Sequence, residues 1–273
     1  MNVNRKISLV IITSTALRHK FLIMSLAKKF NVLGVIQEEK KPALQTQNVP
    51  DPIVRNHFRE FKEKEKEYFG KCDDLKISEE KILQAPYGQT NSQEVFEWIK
   101  NKNPDYIILY GSAIIKEPLL AEFSNRIINM HLGLSPYYRG SGANFWPLVS
   151  GEPEAVGVTI HLAVLKVDAG EILGQARPEI EISDGCHNFG CKTIIAGTEL
   201  LKKIIPLMAE KKLLPQKQDL NIGRVFRVKD TTAGAIIKMR ENFEKGMVDK
   251  YIKNKSERDN KFPVIEVIIR AHS

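Results

Sequence analysis

The sequence lacks a long apolar segment, a set of cysteines suited to disulfide pairing, and internal repeats. A helix that crosses a bilayer needs about 20 consecutive apolar residues, and no run approaches that length. The three cysteines among the 273 residues form an odd and sparse set, which argues for reduced thiols. The basic start of the chain leads into a short apolar run without a small-residue cleavage site, which is not typical of a signal peptide. We therefore expect a cytoplasmic protein with no membrane association.

A metal-binding motif is also missing from the sequence. Cys186, His187 and Cys191 lie close together in the chain, but their spacing matches no common zinc pattern and no fourth ligand lies nearby in sequence. We therefore predict no metal site.

What is present is the composition of a globular protein. Apolar residues make up 42% of the chain and charged residues 27%, and both fractions are ordinary. Lys and Arg together number 41 against 33 for Asp and Glu, which leaves a net charge of +8. This excess favours anionic partners such as phosphates, polyglutamyl tails or RNA, without choosing among them.

The order of elements predicts an α/β protein. The β-branched run over 7–13 is typical of a strand buried on both faces, and an amphipathic pattern over 17–30 followed by apolar residues 32–36 completes a βαβ unit, which favours a parallel sheet. We predict a mostly parallel, Rossmann-like α/β domain over 1–212 and a small α+β appendage over 213–273. The pattern further predicts a polar loop over 42–52, helices over 55–69, 92–100, 114–123, 188–211 and 233–243, and strands over 106–110, 126–130, 156–164, 172–182, 224–227 and 263–269.

Three polar residues stand where predicted strands end, which is where open α/β sheets place their active sites. Asn129 and His131 are two residues apart on a strand, so their side chains point to the same face. An amide donor beside an imidazole suits the stabilisation of an oxyanion or the transfer of a proton. Asp168, in an Asp-Ala-Gly turn, could orient that imidazole. Each residue alone is more often structural than catalytic.

Several separated motifs around these residues raise their significance. The run His131-Leu-Gly-Leu-Ser-Pro-Tyr-Tyr-Arg-Gly follows Asn129, and it precedes Gly157-Val-Thr-Ile-His161 and Val167-Asp-Ala-Gly-Glu-Ile-Leu173. In order and spacing these motifs resemble the 10-formyltetrahydrofolate-dependent formyltransferase family, over roughly residues 104–218. The resemblance implies the formyltransferase fold and 10-formyltetrahydrofolate as co-substrate.

The same resemblance implies roles for individual residues. Asn129 and His131 would hold the formyl oxygen, and Asp168 would position the imidazole and help to remove a proton from the attacking amine. The folate pocket would be formed by Ser112, Ala113, Ile114, Ile115 and Val167, largely through backbone groups.

The same resemblance implies that the polar, aromatic loop after His131 lies on the acceptor side, and the start of the first helix is a second candidate for contact with the acceptor. An arginine in that loop could contact an anionic group, and the helix start could meet a phosphate. The predicted acceptor residues are Arg18, His19, Tyr137, Tyr138, Arg139 and Asn144.

Two departures from the family narrow the acceptor. The chain has Ser14-Thr-Ala-Leu-Arg-His19 after the first strand, where glycinamide ribonucleotide enzymes carry a glycine-rich phosphate loop. The tail is also too short for the barrel domain of methionyl-tRNA enzymes. The remaining branch resembles sugar N-formyltransferases, which implies a nucleotide-linked amino deoxysugar as acceptor, a homodimer, and no nucleic acid partner.

Three alternatives stay open. The first is a methionyl-tRNA formyltransferase-like enzyme, which would bind RNA in a salt-sensitive manner. The second is a formyltetrahydrofolate hydrolase that uses water as acceptor. The third is a non-catalytic nucleotide-binding module.

Overall fold

A seven-stranded sheet with helices on both faces organises the described residues, 5–39 and 50–270 of this computed structural model. The predicted α/β fold with a mostly parallel sheet is confirmed. The sheet consists of β1 (Ser8–Thr13), β2 (Asn31–Glu38), β3 (Ile82–Ala85), β4 (Tyr106–Leu109), β5 (Ile127–His131), β7 (Val158–Leu162) and β8 (Ile172–Ala176), and β6 (Tyr138–Gly140) pairs separately with β9 (Arg224–Phe226).

The strand order is β3-β2-β1-β4-β5-β7-β8. The strands from β1 to β5 in this sheet are mutually parallel, whereas β7 and β8 are antiparallel additions. The helices are α1 (Leu17–Ala27), α2 (Pro52–Phe69), α3 (Gln93–Lys102), α4 (Leu119–Glu122), α5 (Phe145–Ser150), α6 (Cys186–Ala209), α7 (Ala233–Glu244), α8 (Met247–Lys253) and α9 (Lys255–Asp259).

Strand β1 is apolar on both faces because helices cover both faces of the sheet. Leu9 and Ile11 belong to the core cluster that includes buried residues of α1 and α6. Val10 and Ile12 belong to the second cluster, with residues of α3. The continuous apolar run that predicted a central strand is therefore explained by burial on alternating sides.

The structure differs from the prediction in three segments. The helix predicted over 114–123 is reduced to α4. The side-chain amide of Asn91 donates to the carbonyl of Ile114 and accepts from the N–H of Lys116, and Pro118 has no N–H to donate. The strand predicted over 172–182 ends at Ala176, shortly before Pro178. The segment 263–269 forms no ladder, and its Ile265 instead bonds to the backbone and side chain of Gln175. Most of the loop predicted over 42–52 lies outside the described residues.

The tail beyond residue 212 packs on the rest of the protein. Strand β9 pairs in parallel with β6, and α7 packs against α5 and α2. A bridge between Leu213 and Ile269 joins the two ends of the tail. This packing brings β9 to the edge of the sheet where β4 and β5 end. Among the helices of the described part of the chain, none is long and apolar enough to cross a membrane.

Candidate active site

Asn129, His131 and Asp168 lie together at the carboxyl end of β5. Both strand residues point to the same side, and Asp168 reaches them from the turn between β7 and β8. The amide Nδ2 of Asn129 is 3.5 Å from Asp168 Oδ1, and His131 Nδ1 is 3.4 Å from Asp168 Oδ2. The structure thus brings together the three residues that the sequence singled out.

The backbone of the turn holds Asp168 in place. Asp168 has a φ of 48°, a left-handed conformation that Asp tolerates better than most residues. Gly170 is required beside it, because a Cβ there would lie 1.7 Å from the carbonyl oxygen of Leu162. The N–H of Gly140 donates to Asp168 Oδ2 at 3.0 Å, so the loop after His131 also fixes the carboxylate.

A fourth polar residue, His161, belongs to the same group and was not predicted. The antiparallel register places His161 directly opposite Asn129, and the amide Nδ2 is 3.0 Å from His161 Nε2. Because His161 Nδ1 lies 2.8 Å from the carbonyl of Leu162, which can only accept, Nδ1 carries the proton and Nε2 accepts from Asn129. His161 was part of the motif that carried the resemblance, but only the strand pairing reveals its contact.

The electrostatics favour an ionised carboxylate beside a neutral imidazole. Burial raises the pKa of Asp168, but two nearby histidines and a backbone N–H together lower it by more than burial raises it. The pKa of Asp168 therefore lies below its usual range. Burial lowers the pKa of His131 below its ordinary value, although Asp168 opposes this. His131 Nε2 also lies 3.3 Å from the carbonyl of Tyr138. Both ring nitrogens therefore face oxygen acceptors, which prepares the ring to take up a second proton during a reaction.

A cavity of about 1000 Å³ opens at this edge of the sheet. One side is formed by the residues predicted to bind folate, and two of these apolar side chains, Ile114 and Val167, remain 48% and 42% exposed at its mouth. The backbone N–H of Ala113 is already taken by Glu38 Oε2 at 2.7 Å, which fixes the loop. The predicted folate residues that line this side are Ser112, Ala113, Ile114, Ile115 and Val167.

Three of the predicted acceptor residues line the cavity, each with a structural partner. Arg18 pairs with Glu65 at 2.5 Å, and His19 Nδ1 is 2.5 Å from Thr13 Oγ1. The side-chain oxygen of Asn144 accepts from the N–H of Gly157 at 3.0 Å. These three predicted acceptor residues therefore lie at the cavity wall. Some of their polar atoms are already bonded to other groups of the protein.

The other three predicted acceptor residues do not line the cavity. Tyr137 packs its ring on Phe262 with centroids 5.2 Å apart, Tyr138 is buried with its hydroxyl bonded to Glu152, and Arg139 is buried and donates to the carbonyl of Leu220. The pairing of this stretch with β9 turns these side chains into the protein. The expectation that they contact the acceptor stays a prediction, and this cavity gives it no support.

Aromatic rings also line the cavity. Phe58 and Phe61 come from α2 and Phe145 from α5, and all three are partly buried. The tail adds Phe226 and Arg227 to the same cavity. No pattern in the sequence predicts that these separate segments lie together.

Comparison with known proteins identifies the class. The formyl transferase family matches residues 6–205. Methionyl-tRNA formyltransferase of Bacillus cytotoxicus is 37% identical over 129 residues, which is 46% of this chain and 40% of that protein. That of Finegoldia magna is 32% identical over 117 residues, or 42% of this chain and 37% of that protein. The chain thus spans less than half the length of these curated relatives.

Solved structures share the fold at low identity. Glycinamide ribonucleotide transformylase 1 from Symbiobacterium toebii is 19% identical with a TM-score of 0.54, over 79% of this chain and 95% of that one. A 4-N formyltransferase from Francisella tularensis is 18% identical with a TM-score of 0.52, over 81% of this chain and 77% of that one.

The chain belongs to the formyl transferase family, because the family match covers most of its length. The resemblance seen in the sequence is confirmed at the level of this family, and the solved structures share its fold.

Proposed function

We propose that this protein transfers a formyl group from 10-formyltetrahydrofolate to the amino group of a nucleotide-linked amino deoxysugar. In this reaction the amine nitrogen bonds to the formyl carbon, the bond from that carbon to the folate nitrogen breaks, and one proton passes from the amine to the departing folate. The observation that carries the proposal is the cavity, whose lining combines the polar group around Asp168 with exposed apolar side chains and aromatic rings.

The chain's own residues would perform the chemistry in the following way. Asn129 donates a hydrogen bond to the formyl oxygen as negative charge develops on it, and such a donor contributes about 3 kcal/mol to the stabilisation of the transition state. His131, whose Nδ1 faces Asp168 at 3.4 Å, donates to the same oxygen through Nε2 once the ring has gained the proton of the amine. Asp168 stays ionised and stabilises the positive charge that His131 gains when it takes the proton of the amine. His161 keeps the amide of Asn129 oriented through the hydrogen bond at 3.0 Å.

The folate side fits an aromatic heterocycle. Ile114, Val164 and Val167 present exposed apolar side chains at the mouth of the cavity, and burial of such surface contributes about 25 cal/mol per Å². Backbone groups of 111–115 would bind the polar edge of the pterin. The buried Glu38 supports this segment from behind by accepting from Ala113.

The acceptor side fits a nucleotide. The rings of Phe58, Phe61 and Phe145 can stack on a base, a contact worth about 1–3 kcal/mol, and Arg227 adds a positive charge at the same wall. The net charge of +8 attracts an anionic diphosphate. The tail closes one wall of the cavity through β9, an arrangement suited to a small acceptor.

A panel of acceptors tests the proposal. The protein is incubated with 10-formyltetrahydrofolate and nucleoside-diphosphate-linked amino sugars, and mass spectrometry detects the added formyl group. Glycinamide ribonucleotide and a buffer-only reaction serve as comparisons. We expect formylation of at least one nucleotide sugar and no formylation of glycinamide ribonucleotide; consumption of the folate without any amine would instead indicate the hydrolase.

The second candidate is formylation of methionyl-tRNA, favoured by the curated relatives with 32% to 37% identity. Charged initiator tRNA is therefore included in the panel. Formyl transfer to this tRNA, with no transfer to any sugar, would replace the sugar proposal. Salt-sensitive tRNA binding in a gel shift would support that outcome.

A further inference from the structure

A cluster of two histidines and a cysteine lies among the residues that line the cavity. His57 comes from α2, and Cys186 and His187 begin α6. One ligand atom from each of the three residues lies within 4.8 Å of the others. The two imidazole rings face each other with centroids 4.7 Å apart. The fold thus brings together residues that are far apart in sequence, with donor atoms of the kind that bind zinc.

The polar atoms of this cluster are not satisfied by the protein. His57 is 8% exposed, and its buried Nδ1 has no hydrogen-bond partner. His187 Nε2 is likewise buried without a hydrogen bond. Buried polar atoms in native proteins almost always have a partner, so two orphaned imidazole nitrogens beside one thiol point to a missing ligand.

A carboxylate, Glu60, lies next to these three residues. Glu60 follows His57 by three residues on α2, a spacing that puts both on one side of a helix. Its Oε2 lies 3.7 Å from His187 Nε2. Asn56 donates to Glu60 Oε1, and Arg240 donates to both carboxylate oxygens, to Oε1 at 3.2 Å and to Oε2 at 3.0 Å. Binding of a cation by Oε2 therefore requires Arg240 to leave that oxygen and to stay paired with Oε1.

We propose that His57, Cys186, His187 and Glu60 form a binding site for one Zn²⁺ ion. Ligand atoms at about 2.0–2.3 Å from a tetrahedral zinc lie about 3.3–3.7 Å from one another. The 3.7 Å between Glu60 and His187 already matches that range, and the 4.8 Å limit for the other three requires small side-chain movements. Binding deprotonates the thiol of Cys186, and the proton leaves to the buffer.

The proposal departs from the prediction that the chain has no metal site, which stays untested until metal binding is measured. That prediction considered Cys191, which is fully buried in the core and is not part of the cluster. The missing ligands came from α2, where no spacing pattern could reveal them. The ion would tie α2 to the start of α6 and so fix the wall that carries Phe58 and Phe61.

Cobalt binding to the full-length protein tests the site. Chelator-treated wild-type protein is titrated with Co²⁺, and we expect one equivalent to bind with a thiolate-to-cobalt charge-transfer band. The band should be lost in Cys186→Ser and retained in the matched control Cys72→Ser, because Cys72 lies outside the cluster. A wild-type protein that shows no such band, or a Cys186→Ser protein that keeps it, would overturn the proposal.

Zinc affinity tests the other ligands. Competition with a chromophoric chelator should show that His57→Gln and Glu60→Gln each weaken Zn²⁺ binding by at least tenfold relative to wild type, with circular dichroism as the check on folding. A readout that needs no variant is alkylation of the wild-type protein, in which Zn²⁺ should protect Cys186 but not Cys72, as followed by peptide mass spectrometry. Equal alkylation of Cys186 with and without Zn²⁺ would contradict the proposal.

Discussion

The replacement Asp168→Asn removes one charge from the site and leaves its shape intact. Asn tolerates the left-handed backbone at this position as well as Asp does, and its oxygen can still accept from Gly140. What is lost is the attraction between the carboxylate and a protonated His131 at 3.4 Å, about 5 kcal/mol at an effective dielectric constant of about 20. At 1.36 kcal/mol per factor of ten, we expect kcat to fall by about 10³-fold to 10⁴-fold.

Steady-state kinetics with the formylated product quantified by mass spectrometry measures this loss. The KM for 10-formyltetrahydrofolate should change little, because Asp168 acts on the transition state. Asp105→Asn is the matched control. Asp105 lies just before β4, at the amino end of the strand and away from the site, and it accepts from the N–H of Ser8 at 2.7 Å. A fall of less than tenfold in Asp168→Asn, or an equal fall in both variants, would refute the reasoning.

Three further predictions concern the same site. Asn129→Ala should lower kcat by about 10²-fold to 10³-fold through the loss of one oxyanion donor; steady-state kinetics checks this, and an unchanged kcat would exclude the donor role. His161→Gln should lower kcat by about tenfold because the amide of Asn129 loses its partner, and the effect should vanish in the Asn129→Ala background in a double-mutant cycle; additive losses would mean that His161 acts independently. Because burial lowers the pKa of His131 from 6.5 and only the neutral ring accepts a proton, the pH profile of kcat should have an acid limb with an apparent pKa below 6.5. An acid limb above that value would assign proton uptake to another group.

Much of the fold could be predicted because the local patterns agree with the tertiary environment. The apolar run of β1 and the amphipathic pattern of α1 each match what the sheet buries. The prediction of a helix over 114–123 was wrong because the side chain of Asn91, distant in sequence, binds that backbone. The prediction of a strand over 263–269 was wrong for a similar reason. The backbone hydrogen bonds of this segment are divided between Gln175 and the segment over 212–214.

The site was predictable only where the chain itself brings residues together. Asn129 and His131 share a face because strands alternate, and Asp168 was found through resemblance. His161 and the rings of Phe58 and Phe145 depend on strand register and helix packing, which the sequence pattern does not specify. The same limit applies to the loop after His131. The pairing of this loop with β9 places the side chains of 137–139 against the protein, and the sequence pattern does not specify that pairing.

The homodimer and the exclusion of nucleic acid as a partner stay predictions. Light scattering on the purified protein measures the oligomeric state. The tRNA arm of the acceptor panel tests whether a nucleic acid is a partner.

The most direct measurement of the central claim follows an isotopically labelled formyl carbon from 10-formyltetrahydrofolate in reactions of wild type and Asp168→Asn. The account predicts that the label appears as a formamide on the amino group of a nucleotide-linked sugar with wild type, and at a rate at least a thousandfold lower with the variant. Label that is released only as formate, or that reaches the sugar equally fast with both proteins, would contradict it.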